Sequence, residues 1–250
     1  CPAEDEGHVE SCLEGDQETD DALRGDGIEG DITSDLKCMG YDTGSYEESV
    51  KSDNDLSRPL TYPEIWYVAY AGDEVLGTKD DLLGGTHDKE IIRVLQEIVA
   101  IEGPITQDLC ISRLLPHWQI TRKTTQVKNK IESLLTSLSF HHETEGKQIF
   151  LWSDHKSFLE YVTFRSHPPG DPWQRKADEI SIQEYCNAMI HLIKQERTMN
   201  INLLSRSIGS TFGIKRMNAA LQAKIDQGII LLMNRGELRR KGDVVIYNPE

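Results

Sequence analysis

Several features that define large functional classes are missing from this 250-residue sequence. It has no apolar run long enough to span a bilayer and no stretch resembling the apolar core of a signal peptide. The five cysteines form no Cys-x-x-Cys pair, and Cys110 and Cys186 fall at apolar helical positions, which predicts reduced structural thiols. We therefore expect a soluble, cytoplasmic fragment of a larger protein that makes no membrane contact.

Catalytic signatures are also missing. There is no Gly-x-x-x-x-Gly-Lys-Ser/Thr phosphate loop and no nucleophile-elbow pattern. His141 and His142 are adjacent in a predicted strand, so their side chains point to opposite faces and are not expected to share a metal. Glu102 and Glu196 each end a predicted helix, and we interpret them as solvated or capping residues rather than as paired acids. The sequence predicts no enzyme in this region and no cofactor.

Negative charge is concentrated at one end of the chain. The whole sequence has 27 Lys and Arg against 42 Asp and Glu, a net charge of -15. Residues 1–60 hold 18 acidic and 4 basic residues, a net charge of -14, so the other 190 residues are close to neutral. Because residues 1–60 also contain few large apolar side chains, we predict a disordered acidic linker. Such a segment is a candidate to occupy a basic surface in cis and suppress binding there.

The rest of the chain contains one unit twice. Glu90–Trp152 aligns without a gap on Glu184–Ile246, at an offset of 94 residues. Apolar residues coincide along the alignment, as at Ile131 and Ile225. Two copies of one structural unit are the simplest explanation of this pattern.

Each copy predicts a helix, a short second helix, a long third helix and a hairpin. Thr106 and Asn200 are good caps for the two short helices. Hairpins with a glycine at the tip are predicted within Ser139–Trp152 and Ile230–Tyr247. Three helices followed by a two-stranded wing are typical of the winged helix-turn-helix. The predicted fold class is mainly α with small β-hairpins (α+β), built as two tandem winged helix-turn-helix domains after the acidic segment.

The predicted domain boundaries follow from these patterns. They are a disordered acidic linker over 1–60, an aromatic docking segment over 61–84, winged-helix domain 1 over 85–164, a Pro-rich connector over 165–179 and winged-helix domain 2 over 180–250. Tyr67 and Tyr70 are among the aromatic residues expected to dock on domain 1. Thr86 is the predicted cap of a helix from about Asp88 to Ile101. Ser181 and Glu184 form a predicted capping box at the start of domain 2.

The long helix of copy one, predicted over Ile120–Leu138, has the pattern of a recognition helix. Val127 and Ile131 belong to its apolar stripe, and the opposite face is polar and free of carboxylates. Short polar side chains on that face suit base edges, and lysines on its flanks suit phosphates. The predicted contacts of copy one are Arg122, Lys123, Thr125, Gln126, Lys128, Asn129 and Lys130. An ordinary amphipathic helix with a solvated polar face is the alternative.

Copy two is more basic. Residues 184–248 hold 5 acidic and 10 basic residues, a net charge of +5, whereas residues 90–153 hold 7 of each. The predicted contacts of copy two are Lys215, Arg216, Lys224, Arg235, Arg239, Arg240 and Lys241. Those in the hairpin form a basic wing suited to phosphates or a minor groove. We expect mainly nonspecific DNA binding by the pair of domains.

An alternative function follows from the long helix of copy two. The positions equivalent to Thr125, Gln126 and Asn129 are alanines, namely Ala219, Ala220 and Ala223. Alanine cannot hydrogen-bond to a base edge, although it permits close approach to a backbone. The same small, flat face suits a protein partner, so a scaffold or dimerisation module without DNA contact is the second hypothesis.

Some segments resemble a known family. Glu97–Ile105 (Glu-Ile-Val-Ala-Ile-Glu-Gly-Pro-Ile), with Arg122 downstream, resembles an uncharacterised domain at the C-terminus of large helicase-related proteins. Asp178–Glu184 and Phe212–Arg216 are similar to it in the second copy. Members of that family, mostly bacterial, pair a superfamily 1 type ATPase with a nuclease domain resembling very-short-patch repair endonucleases. The resemblance covers roughly residues 85–247 and implies a nucleic-acid context with the remainder of such a parent as partner, but no catalytic residue here.

Overall fold

The computed structural model describes residues 61–248. The predicted acidic linker over 1–60 lies outside the described residues, as do Cys1, Cys12 and Cys38. The described chain mixes helices with short strands and is α+β. It begins with strand β1 (Glu64–Trp66) and helix α1 (Lys79–Gly84). Helix α1 was not predicted, although Thr78 and Asp81 form a capping box at its start.

The first repeat follows α1. Its elements are α2 (Asp88–Glu102), β2 (Ile105–Thr106), α3 (Gln107–Leu114), a 3-10 turn (Leu115–Trp118), α4 (Thr125–Thr136), β3 (His141–Glu145) and β4 (Gln148–Trp152). β2 and β3 flank β4 in an antiparallel three-stranded sheet. The short strand after the first helix is therefore part of the hairpin sheet, a pairing that the sequence pattern did not predict.

The second repeat has the same order of elements. After α5 (His155–Leu159) and β5 (Phe164–Ser166) come α6 (Ile182–Glu196), β6 (Thr198–Asn200), α7 (Ile201–Thr211), α8 (Ala219–Asn234), β7 (Leu238–Lys241) and β8 (Val244–Tyr247). Again the short strand pairs with the second arm of the hairpin, in the order β6-β8-β7. Strand β5 instead pairs in parallel with β1.

The three helices, the short strand and the second hairpin arm of the two repeats keep the offset of 94 residues, whereas the first hairpin arm and the glycine tip of repeat two lie further along the chain. Helices α2 and α6 both have 15 residues and begin at positions 88 and 182. The sheets are also in register, since Ile105 pairs with Leu151 and Met199 pairs with Val245, each 94 positions further on. The hairpin tips carry Gly146 and Gly242 with positive φ, a conformation that glycine adopts at no steric cost.

Each repeat has its own apolar core. The stripe predicted for the third helix is buried, including Val127 and Ile131 in α4 and Ile225 in α8. Full burial of a side chain of this size contributes about 1.5–3 kcal/mol, so these stripes hold the third helices in place. Cys110 and Cys186 lie in the two cores as free thiols, and burial raises the pKa of both.

Two helix starts differ from the predictions. Helix α2 is capped by His87 rather than Thr86, without a side-chain hydrogen bond. Helix α4 begins at Thr125, not at Ile120, because the Thr124 hydroxyl accepts a hydrogen bond from the Val127 amide and ends the preceding loop there. The predicted caps Thr106 and Asn200 are confirmed, since both side chains accept bonds from first-turn amides.

The start of α6 is held by a buried ion cluster. The Glu184 carboxylate lies 2.6 Å from an Arg165 nitrogen and 2.7 Å from an Arg175 nitrogen. Burial alone raises the pKa of Glu184, but the two guanidinium groups outweigh it and lower the pKa to about 2. The predicted capping box is therefore only half formed. Ser181 accepts the Glu184 amide at 3.3 Å, while the carboxylate is taken by the arginines.

Arg165 also connects the two repeats. Its guanidinium donates to the Pro104 carbonyl at 2.7 Å and to the Gly103 carbonyl at 3.2 Å, just after α2 ends. One side chain thus joins the end of the first helix of repeat one to the start of the first helix of repeat two. A charged group bound to both sides opposes relative movement of the repeats.

Glu102 is not a solvated residue, contrary to the prediction. It is 1% exposed and accepts hydrogen bonds from the Tyr67 hydroxyl, the Tyr70 amide at 2.7 Å and Arg113 at 2.7 Å. These contacts hold the aromatic segment on repeat one, where it was expected to dock. Tyr62, however, lies in the core of repeat two, so the segment contacts both repeats. Glu196 is exposed, as predicted.

Candidate nucleic-acid interface

The polar face of α4 is exposed. Thr125, Gln126 and Asn129 all lie at the surface, on the side of the helix opposite its buried stripe. Arg122 is exposed as well, but it belongs to the loop before the helix rather than to the helix face. These side chains are free to approach a ligand, as the sequence pattern predicted for them.

The lysines around α4 are already paired with carboxylates. Lys123 lies 3.0 Å from Asp108, and Lys128 lies 3.5 Å from the same carboxylate. Lys130 pairs with Asp88 at 2.7 Å. The hydrogen bond from Lys123 lowers the pKa of Asp108 below its usual value. Burial opposes this shift, and Lys128 adds a smaller lowering effect. Because these charges are compensated locally, the three lysines present less free positive charge at the surface than their sequence positions suggest.

The second repeat presents cations that are not compensated in this way. Lys215 and Arg216 lie exposed in the turn between α7 and α8, and three further cations lie exposed on β7. Those three are Arg239, Arg240 and Lys241. None of the five forms an ion pair with another residue in the range 61–248, although Arg240 donates to the Gly242 carbonyl at 2.9 Å. Arg235 is exposed just after α8.

Lys224 is the exception among the predicted contacts of the second repeat. It lies on the buried side of α8, and its ammonium group forms an ion pair with Glu145 of β3. Glu145 also accepts the Ile182 amide at 3.0 Å, and burial raises the pKa of its carboxyl despite the nearby ammonium. The prediction that Lys224 contacts nucleic acid is therefore wrong. Its charge joins the two repeats instead.

The alanine face of α8 is exposed over its first turns. Ala219, Ala220 and Ala223 lie at the surface next to the cationic turn. The face has no side-chain hydrogen-bonding group, so it offers shape but no readout of base sequence. It is equally open to a protein surface.

A groove beside this turn was not predicted. It has a volume of about 800 Å³ and lies between the connector and α7, with Arg206 and Lys215 among its lining residues. The prolines of the connector indicated only a stiff spacer, and Arg206 lies on the second helix rather than on the predicted recognition helix. No local pattern indicates the groove, because the nearest cations along the chain, Arg197 and Lys215, are each nine positions from Arg206.

Across residues 61–248, no three His, Cys, Asp or Glu side chains converge to hold a metal ion. His141 contacts His155 at 3.3 Å, and burial, followed by His155, lowers the pKa of His141. None of the helices in that range has both the length and the apolarity to cross a membrane.

Comparison with known proteins gives one partial match. A family model described as a protein of unknown function (DUF3320) matches residues 80–129. The matched segment runs from α1 to the first turn of α4, so it lies within the N-terminal segment and the first repeat. It includes Glu97–Ile105, the segment on which the sequence resemblance mainly rests. No curated protein matches the chain.

Proposed function

We propose that each repeat is a winged helix-turn-helix domain. The support is the order of elements, helix, strand, helix, helix and hairpin, found in both halves with the three helices starting at the same offset. In both sheets the short strand lies beside the second hairpin arm, which leaves the first arm at the outer edge. This arrangement gives each repeat a third helix and an adjacent hairpin, the two elements that winged-helix proteins use against DNA.

We further propose that the chain binds nucleic acid without catalysing a reaction, chiefly through the second repeat. The observation that carries this proposal is the set of uncompensated cations on the α7–α8 turn and on β7. Cations without a partner release counterions from phosphates when they bind, which supplies affinity that depends on salt but not on sequence. The alanines at the start of α8 are consistent with close, nonspecific approach.

The parent protein is proposed to be a larger helicase-type or nuclease-type enzyme that supplies the chemistry. The support is the sequence resemblance across both repeats, since the family matched over residues 80–129 is itself of unknown function. In this arrangement the chain holds nucleic acid while other domains act on it. Two buried charged side chains join the repeats, Arg165 through backbone carbonyls and Lys224 through an ion pair. This suits that role, since a rigid pair transmits position better than two loosely linked domains.

The test is fluorescence anisotropy of the full 250-residue chain with a labelled duplex over a salt series. We expect binding that weakens steeply with salt. Changing Arg239, Arg240 and Lys241 together to alanine should reduce the log-log slope by about one unit per lost phosphate contact. A matched control changes Lys79, Lys89 and Lys147 to alanine, since these exposed cations are also unpaired in the described chain. The control removes the same charge but should leave the slope unchanged.

A scaffold or dimerisation module is the second candidate, favoured by the exposed Ala219, Ala220 and Ala223. It predicts no duplex binding at low salt. It also predicts that Ala220→Glu weakens self-association or partner binding, because the carboxylate would have to be desolvated in the contact. Sedimentation velocity of the wild-type chain and this variant distinguishes the two candidates.

A further inference from the structure

Strand β1 lies at an open edge of its sheet. Within the described part of the chain its one neighbouring strand is β5, which pairs with it in parallel. The Pro63 carbonyl accepts a hydrogen bond from β5 at 3.3 Å, and the Tyr67 amide donates one to β5 at 2.8 Å. Because backbone groups alternate along a strand, Ile65 also faces β5, whereas the N–H and C=O groups of Glu64 and Trp66 face outwards. No hydrogen-bond partner for these outward groups lies among the described residues.

The side chains of β1 are exposed as well as its edge. Trp66 is 58% exposed and Ile65 is 46% exposed, on opposite faces of the strand. Val68, just after the strand, is 61% exposed. β1 thus combines unpaired backbone groups with exposed apolar side chains, and this combination marks a strand that can pair with another chain.

Two buried tyrosines hold this edge in position. Tyr62 precedes β1 and lies in the core of repeat two, where its hydroxyl donates to Glu237 at 3.2 Å. Tyr67 follows β1 and is also buried, and its hydroxyl donates to Glu102 of repeat one. The strand is therefore fixed at both ends in the single chain, so pairing with a partner requires little further ordering.

The outer edge strand of repeat two differs from β1 in its charge. β7 carries Arg239, Arg240 and Lys241 in consecutive positions. A row of cations repels a second copy of the same strand, which is a common protection against edge pairing. β1 has a single charged residue, Glu64, and lacks such a row.

The length of the open edge indicates which partner fits it. Before β1 the chain enters the core of repeat two at Tyr62, and after β1 the Tyr67 hydroxyl and the Tyr70 amide both bond to Glu102. The open edge is therefore no longer than β1 itself. A long extended peptide would find few pairing groups there, whereas β1 of a second copy matches the edge in length.

We propose that β1 pairs antiparallel with β1 of a second copy of this chain, around a two-fold axis at Ile65. In this register Glu64 of each copy lies opposite Trp66 of the other, so the outward N–H and C=O groups of both strands are paired. The two carboxylates are not opposite each other, which avoids repulsion between like charges. Ile65 meets its equivalent on one face, and the two indoles lie diagonally within reach on the other.

The size of this contact determines its expected strength. One short strand and three exposed apolar side chains per copy make a small interface, which we expect to bury less than about 1,200 Å² in total. Contacts of this size are typical of weak, reversible complexes. We therefore expect a dimer with a dissociation constant on the order of 10 μM.

Sedimentation velocity of the full 250-residue chain, from about 1 to 100 μM, measures the association. Trp66→Glu should weaken it about ten-fold or more, because it places a second carboxylate opposite Glu64 on both sides of the two-fold axis. Adding Glu64→Lys to Trp66→Glu should restore part of the affinity, since opposite charges then face each other. Val75→Glu is the matched control, because it introduces the same charge at a residue that is 62% exposed and outside β1. It should leave the association unchanged.

Ile65→Cys tests the register directly. In the proposed dimer the two copies of this residue form a pair without hydrogen bonds, with Cα atoms about 4.5 Å apart, within the range that a disulfide spans. With oxidised glutathione the variant should form a covalent dimer, and mass spectrometry should place the link at position 65. The wild-type chain reveals any link through its own cysteines. Val75→Cys should form no link through position 75.

The outcomes separate this proposal from others. A chain that stays monomeric throughout the concentration range overturns it. So does a dimer that Trp66→Glu leaves unchanged while circular dichroism shows the variant folded, since association then uses another surface. A dimer without the link at position 65 overturns the antiparallel register. Ala220→Glu, on the alanine face of α8, should leave the β1 dimer intact. Duplex binding enters none of these outcomes, so the proposed nucleic-acid function stands or fails separately.

Discussion

The two repeats share an order of elements and a register but use their charged residues differently. In repeat one, lysines around the third helix pair with Asp108 and Asp88. In repeat two, the cations of the turn and of β7 have no such partners in the described chain. An internal repeat therefore establishes a shared fold, while the surface chemistry of each copy depends on a few acidic side chains.

The two repeats also differ in which of their equivalent glutamates are buried. Glu90 and Glu184 are equivalent positions, yet only Glu184 is fully buried, between two arginines. At the other end of the same helices the situation is reversed, since Glu102 is buried and Glu196 is exposed. The buried ends are the two that lie close to Arg165, where the repeats meet. At these two positions the repeats therefore differ where they contact each other.

The largest effect is expected for Glu184→Gln. The substitution leaves two buried guanidinium groups without their carboxylate, which costs about 3–5 kcal/mol of unfolding free energy. Chemical denaturation followed by circular dichroism measures the loss. Glu90→Gln is the matched control at the equivalent position of repeat one and should change stability by less than about 0.5 kcal/mol. Equal effects at the two positions would remove the distinction drawn between them.

The free energy of unfolding should also depend on pH through Glu184. The pKa of Glu184 is lowered to about 2 in the folded protein, so its stabilising contribution is complete above its ordinary value of 4.5. That contribution, about 3 kcal/mol, should disappear progressively as the pH falls from about 5 towards 2. Denaturation curves across this range should show the decline in the wild-type chain. The difference between the pH dependence of stability of the wild-type chain and that of Glu184→Gln isolates the contribution of Glu184. If the two stabilities changed in parallel with pH, the low pKa of Glu184 would be contradicted.

A smaller loss is expected for Glu102→Gln. The Gln amide can still accept the hydrogen bond from the Tyr70 amide, but it lacks the charge that pairs with Arg113. We expect the free energy of unfolding to fall by about 2–3 kcal/mol. Tyr67 would report the change directly. Burial and, to a lesser extent, the Glu102 carboxylate raise the pKa of the Tyr67 hydroxyl to about 12. Removing the carboxylate should therefore lower this pKa, which an ultraviolet titration measures. Glu196→Gln should alter neither stability nor the tyrosine titration.

The smallest expected effect tests whether acidic residues such as Asp108 limit nucleic-acid binding by repeat one. Asp108→Asn releases Lys123 and Lys128 from their common partner. We expect duplex affinity to rise about two-fold to five-fold at low salt and the salt slope to steepen by about one unit per new contact. Loss of these exposed ion pairs should cost about 0–1 kcal/mol of stability. Asp80→Asn, an exposed acid with no ion pair in the described chain, controls for net charge and should leave the slope unaltered.

Local patterns in the amino-acid sequence were sufficient for much of the fold. The offset of 94 residues, the caps at Thr106 and Asn200 and the buried stripe through Val127 and Ile131 were all predicted, because each depends on residues within a few turns of one another. The glycine tips of the hairpins follow from similarly short-range chemistry, although the first arm of the second hairpin begins at Leu238 rather than at Ile230 because α8 continues to Asn234. Composition also separated the acidic segment from the repeats.

Contacts between residues far apart in sequence determined the rest. Lys224 and Glu145 are 79 positions apart, and their pairing turned a predicted surface cation into a buried one. Glu102 became a buried acceptor because Tyr67 and Arg113 reach it from different segments. The groove exists because the connector folds back on α7, 39 positions away at Gln174 and Gly213. Such contacts leave no periodic signal, since a charged side chain is buried only where the fold brings it an opposite charge or a hydrogen-bond partner.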